Sequence, residues 1–125
     1  MKLSEFNLDD FRTSPFDYDK HNTYQRLLVE LWEDGADEDE DDPISSFDMY
    51  FEAAFVEDNE VQMLKVNAED FKMGMQDLKN TDSENAVVKF FYEDGSNNGI
   101  FNKIPLKIAA YVKERNAIYF EADEE

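Results

Sequence analysis

Residues 47–56 read FDMYFEAAFV. Phe47, Met49, Phe51, Ala53 and Phe55 take every second position and alternate with Asp48, Tyr50, Glu52, Ala54 and Val56. A period of two marks a strand with one face buried, so this stretch predicts a sheet. Toward the C-terminus, Glu57-Asp58-Asn59-Glu60 is polar enough to turn the chain into a second strand over 61–66. Asn67 then offers an N-cap with Asp70 three residues on, and a helix over 68–79 should bury Phe71, Met75 and Leu78. Residues 86–92 form a strand with two apolar faces, followed by the turn chemistry of Glu93-Asp94-Gly95-Ser96-Asn97-Asn98-Gly99. The stretch LKIAAYVK over 106–113 suits either a helix opened by Pro105 or a strand. The strand is favoured, because Glu114-Arg115-Asn116 followed by Ala117-Ile118-Tyr119-Phe120 reads as a hairpin return into a strand over 117–121.

Toward the N-terminus the period lengthens. Tyr24, Leu27, Leu28, Leu31 and Trp32 follow the spacing of one helical face, predicting a helix over 20–33 that Asp34-Gly35 stops. The first twelve residues carry a short helix with Ser4 as N-cap, docking Leu3, Phe6, Leu8 and Phe11, and Thr13-Ser14-Pro15 ends it. The whole is a single α+β domain over residues 1–125, an antiparallel sheet of four to five strands with two to three helices packed against it.

The chain is 125 residues long, with 31 Asp and Glu against 12 Lys and Arg, a formal charge of −19. Leu, Ile, Val and Phe supply 31 residues, enough for a charged chain to collapse around a core. With no cysteine, disulfides, zinc-thiolate sites and cysteine nucleophiles are excluded. No apolar run approaches a membrane span and the N-terminus lacks the apolar stretch of a signal peptide, so a soluble, cytoplasmic protein is expected. A charge of this sign repels nucleic acid and anionic membrane, which excludes direct binding to either.

The charge is unevenly placed. Residues 1–60 carry a net −15 and residues 61–125 a net −4. Eight acids fall in the ten positions 33–42: Glu33, Asp34, Asp37, Glu38, Asp39, Glu40, Asp41 and Asp42. Such a block reads as a solvated, mobile acidic loop within the domain.

Calcium loops fail on geometry. Counting from Asp37 places Asp39, Asp41, Ile44 and Asp48 suitably, but Asp42 and Pro43 stand where a sharp glycine turn is needed. Counting from Asp94 places Ser96, Asn98 and Gly99 suitably, but Pro105 falls at the glutamate position. His21 is the sole imidazole, and there is no H-E-x-x-H, phosphate-binding glycine loop or G-x-S-x-G. No enzyme activity, metal or cofactor is expected. Phe51, Phe55, Phe90 and Phe91 are read as core, whereas Tyr50, Tyr92, Tyr111 and Tyr119 sit on the more polar faces of their strands and suit a protein interface.

In size, charge and acidic C-terminus (Glu121-Ala122-Asp123-Glu124-Glu125), the chain resembles the small acidic inhibitors that phages and mobile elements direct against DNA-binding defence enzymes, such as anti-restriction and anti-CRISPR proteins. Those inhibitors share no common fold, so the resemblance assigns no residue a role. It implies a nucleic-acid mimic that occupies the basic groove of a partner enzyme. The candidate partner-binding residues are Glu33, Asp34 and the block to Asp42, with Glu30, Asp48 and Glu52 on neighbouring elements and Asp17 and Asp19 extending the stripe. The alternative is an acidic regulator or immunity protein that binds a basic partner through an apolar and tyrosine surface.

Overall fold

The structure, a computed structural model, describes residues 2–12, 26–57, 60–80, 85–97 and 100–123. Seven strands form one antiparallel sheet: β1 (Arg26–Glu33), β2 (Ser45–Tyr50), β3 (Ala53–Glu57), β4 (Glu60–Asn67), β5 (Ala86–Asn97), β6 (Ile100–Val112) and β7 (Ala117–Ala122). Their order is β2-β1-β5-β6-β7-β4-β3. One α-helix, α1 (Ala68–Lys79), follows β4 directly. The α+β character and the antiparallel sheet agree with the sequence reading, but the counts do not. Seven strands replace four or five. Among the described residues α1 is the one α-helix, the other helical pieces being 3₁₀ turns at Leu3–Glu5, Leu8–Phe11 and Lys113–Arg115.

β2 and β3 are the two edges of the sheet, yet only Phe51 and Glu52 separate them. Laid flat, the edges of seven strands would lie roughly 29 Å apart. The three Cα steps from Tyr50 to Ala53 reach roughly 11 Å. The sheet must therefore curl until its edges meet at this corner. Phe51 turns inward there and stacks on Tyr92 with ring centres 5.7 Å apart, and the Glu52 amide donates to the Lys65 carbonyl at 2.9 Å. The strand expected over 47–56 is thus two strands. Phe51 packs inward through the corner, so the alternation runs on and hides the break.

A larger correction concerns residues 26–33, expected in a helix and found as β1. This strand is central, paired with β2 on one side and β5 on the other. Leu27, Val29 and Leu31 are buried on the inner, helix-side face, while Glu30 and Trp32 are buried on the outer face. A strand buried on both faces reads as a near-continuous apolar run, here LLVELW, which fits helical spacing at 27, 28, 31 and 32 as well as alternation at 27, 29 and 31. Residues 20–25, with Tyr24 and His21, lie outside the described residues.

The helix fills the hollow of the curl. Its first three amides are all satisfied: Ala68 N donates to the Asn116 carbonyl (2.9 Å), Glu69 N to Asn116 Oδ1 (3.1 Å) and Asp70 N to Asn67 Oδ1 (3.0 Å). Asn116 adopts a left-handed conformation (φ 52°) in the turn between β6 and β7, so one tight turn both reverses the sheet and caps α1. Phe71, Met75 and Leu78 are buried as the spacing predicts. Gly74 faces β2 so closely that a Cβ would lie 2.5–2.7 Å from three carbons of the Phe47 ring. On the opposite flank Lys72 Nζ donates to the Tyr111 hydroxyl at 2.8 Å, a bond that raises the Lys72 pKa above the ordinary lysine value.

The sheet opens between its two longest strands. β5 and β6 pair only as far as Phe90 opposite Leu106; beyond that, β5 keeps β1 and β6 keeps β7. The N-terminal residues fill the split, with Lys2 bridging Val87 and Arg12 bridging Tyr111. Leu3 and Phe6 are buried there, and Leu8 and Phe11 pack against the core. A segment tied at both ends to diverging strands makes two 3₁₀ turns rather than one helix. The first is flanked by Lys2 without a side-chain cap, so Ser4 is not the N-cap expected of it. In β6 the register shifts between Ile108 and Ala110. That bulge inverts the parity of the strand and turns Tyr111 inward.

Gly74→Ala improves helix propensity by about 1 kcal/mol. It must also displace Phe47, and overpacking of this kind costs typically about 1–3 kcal/mol. Urea denaturation should therefore show a net loss of stability, accompanied by chemical-shift changes at Phe47. A second expectation concerns alkaline pH. Because the folded-state pKa of Lys72 lies above the ordinary lysine value, the stabilisation from this bond is complete below that ordinary value and is lost as pH rises through the raised one. In Tyr111→Phe, NMR titration of the Lys72 side chain should show the pKa falling back toward the ordinary value.

Candidate acidic interface

The acidic block is the connection of the β1–β2 hairpin. Gly35 takes the left-handed conformation (φ 84°) that opens it, and the Asp34 amide donates to the Asn85 carbonyl at 3.1 Å, tying its start to the base of β5. Ile44 N returns to the Leu31 carbonyl at 2.7 Å. Between these ties Asp37 organises a turn. Its carbonyl accepts from Glu40 N (3.2 Å) and Asp41 N (2.7 Å), its Oδ1 accepts from Asp39 N (2.9 Å), and Asp41 Oδ2 accepts from Asp37 N (2.9 Å). Glu38 reaches back over the sheet to Lys89 Nζ at 2.9 Å, and that ammonium stands 5.4 Å from the centre of the Trp32 ring. The acidic loop is exposed, as its charge leads one to expect, and it is hydrogen-bonded across its middle and pinned at one flank.

On the outer face of the sheet the charges are matched. Arg26 meets Asp48 at 2.8 Å and Lys107 meets Glu121 at 3.8 Å. Lys65 meets Glu52 at 3.3 Å at the corner between the edges, and Asn67 Nδ2 also donates to Glu52 at 3.3 Å. Glu30 is only 4% exposed and accepts from Lys103 Nζ at 3.2 and 3.4 Å, while Lys103 lies 5.5 Å from the centre of the Phe91 ring. Arg26–Asp48 and Lys107–Glu121 tie neighbouring strands, and Glu30–Lys103 reaches across β5 from β1 to β6.

The structure thus divides the eleven candidate residues. Glu30, Glu38, Asp48 and Glu52 are held by bases of the same chain. Glu33, Asp34, Asp37, Asp39, Glu40, Asp41 and Asp42 are exposed and form no ion pair with a described base. The stripe anticipated along the strand therefore contracts to the hairpin connection, and Asp17 and Asp19 lie outside the described residues. Among the described residues no three acidic or histidine side chains gather closely enough to hold a metal ion.

Three of the four tyrosines read as interface residues are buried. Tyr92 faces the core opposite Leu27, Tyr111 is turned inward by the β6 bulge, and Tyr119 joins a second cluster with Met63, Ala110, Val112 and Ala117. Tyr50 alone is open, 67% exposed. The sequence reading missed Met73, which is 68% exposed. A helical wheel would have found it, since position 73 points away from the face made by 71, 75 and 78.

No protein family, curated protein or solved structure matches the chain. Among the described residues no helix is long and apolar enough to cross a membrane.

Replacing Lys103 by Met would leave the Glu30 carboxylate buried without its partner. The expected loss is on the order of 3 kcal/mol in urea denaturation. Much of it should return in the double variant with Glu30→Gln, which removes the stranded charge.

Proposed function

We propose that this protein is an acidic inhibitor that occupies the basic nucleic-acid groove of a partner enzyme, as phage and mobile-element anti-defence proteins do. One observation carries the reading: each described base on a strand is paired with an acid of the same chain, while seven exposed carboxylates with no ion pair to a described base, Glu33 at the end of β1 and six in the connection that follows, crowd one hydrogen-bonded turn. Duplex DNA presents about one negative charge per ~1.7 Å of axis, and a run of acids within one compact turn presents a comparable density to a groove lined with Lys and Arg. A turn already fixed by its own hydrogen bonds loses less freedom on docking than a free acidic tail would. A concentrated field of one sign also accelerates encounter with a basic surface.

The alternative, a regulator or immunity protein binding a basic partner through an apolar and tyrosine surface, loses three of its four tyrosines to the interior, since Tyr92, Tyr111 and Tyr119 are buried.

The test is replacement of Glu33, Asp34, Asp37, Asp39, Glu40, Asp41 and Asp42 by Gln or Asn, assayed by nucleic-acid uptake of candidate defence nucleases. The variant should stay folded and lose inhibition at least tenfold. Wild-type association should slow as salt rises, since exposed charges are screened beyond ~10 Å at 0.1 M. Inhibition indifferent to both changes, or a partner that still takes up DNA or RNA in the complex, would reject the reading.

A further inference from the structure

The edge strand β2 carries a second feature of the same surface. Its six residues pair with β1 without any register shift, and among the described residues no strand pairs with its other side. The opposite edge, β3, contains a bulge between Phe55 and Val56, a device that discourages further pairing. β2 has no bulge, lysine or proline, and its single charge, Asp48, is matched by Arg26. Its inward side chains are also incompletely covered. Phe47 and Met49 are only half-buried, whereas Leu27, Val29 and Leu31 beside them on β1 are fully buried. Tyr50, one of the two large apolar residues exposed among the described residues, ends β2 itself.

We infer that β2 accepts an eighth strand, an extended segment of the basic partner in which Lys or Arg alternates with apolar residues. This rests on the proposed acidic, partner-binding role and specifies how the surface is engaged. Backbone hydrogen bonds to the free edge supply register, as in other strand-addition complexes. Apolar side chains of the added strand extend the inner face over Phe47 and Met49. Charge selects the occupant. The exposed acidic connection of residues 37–42 immediately precedes β2, so a segment that carries basic residues is attracted to this edge. A second copy of a chain carrying −19 is repelled from it.

Three synthetic seven-residue peptides of equal charge test this on the intact protein. One alternates Lys with Val, one alternates Lys with Gly, and one repeats the Lys–Val sequence with its valine amides N-methylated to remove the donors of one strand edge. The Lys–Val peptide should bind at least tenfold more tightly than either control and should slow exchange of alternate β2 amides, but not of β3 amides. Equal binding of all three peptides, or no binding, overturns the inference. So does β2 protection on both sides before any peptide is added, or a protein that is already dimeric. Equal binding that still depends on the carboxylates of residues 33–42 rejects the edge and leaves the acidic inhibitor standing. Tight, strand-specific binding with no inhibition of any nuclease does the reverse.

Discussion

The ring of Phe71 is the point through which the fold is held. It is fully buried and meets Phe6 and Phe47 at 6.2 Å, Phe90 at 6.0 Å and Phe120 at 5.7 Å between ring centres. Those four partners come from the N-terminal segment, β2, β5 and β7, elements far apart in the chain. A curled sheet has a hollow that its own side chains cannot fill at native density. α1 fills it, and Phe71 occupies the middle. The position of that ring is set from two sides. The Asn67 and Asn116 caps fix where the helix begins, and the absence of a side chain at Gly74 lets it settle against Phe47. The closeness of the edge strand to the helix, and hence the partial cover over Phe47 and Met49, follows from the same packing.

What could be read from the sequence was whatever depended on local chemistry. The cap at Asn67, the helix to Lys79, β4 and the hairpin into β7 all follow from signals within a few residues, and the structure places them where those signals stand. The failures arose where the tertiary environment decides. β1 was misread because burial on both faces erases the alternation that marks a strand. Tyr111 was misread because a single extra residue in β6 inverts inside and outside. Of the candidate interface, the acidic connection was legible as charge. Its division from Glu30, Glu38, Asp48 and Glu52 was not, because each of those finds its base through pairing between distant segments. Met73 had a signal in the helical wheel, because it lies opposite the buried face of α1.

The separation of charge has a mechanical basis. The five bases on strands, Arg26, Lys65, Lys89, Lys103 and Lys107, are each paired with an acid, and the hairpin connection between β1 and β2 contains no base. Repulsion among its carboxylates is opposed by the hydrogen bonds that the Asp41 and Asp37 carboxylates accept from the amides of Asp37 and Asp39, and by the reach of Glu38 to Lys89. The core is therefore insulated from the strain of the acidic end. Substitutions in that end can alter the surface field while the packing around Phe71 stays as it is.

The N-terminal segment in the split between β5 and β6 bears on how the chain acquires its structure. Arg12 and Glu114, which close that split, are 102 residues apart in sequence. During synthesis the segment leaves the ribosome well before either strand that it bridges. It must stay undocked, with Leu3, Phe6 and Phe11 uncovered, until nearly the whole sheet has been made. A topology dominated by such distant contacts folds slowly. Through that interval the dense negative charge of residues 33–42, present from early in synthesis, repels other copies of the unfinished chain and keeps those exposed aromatic residues from associating.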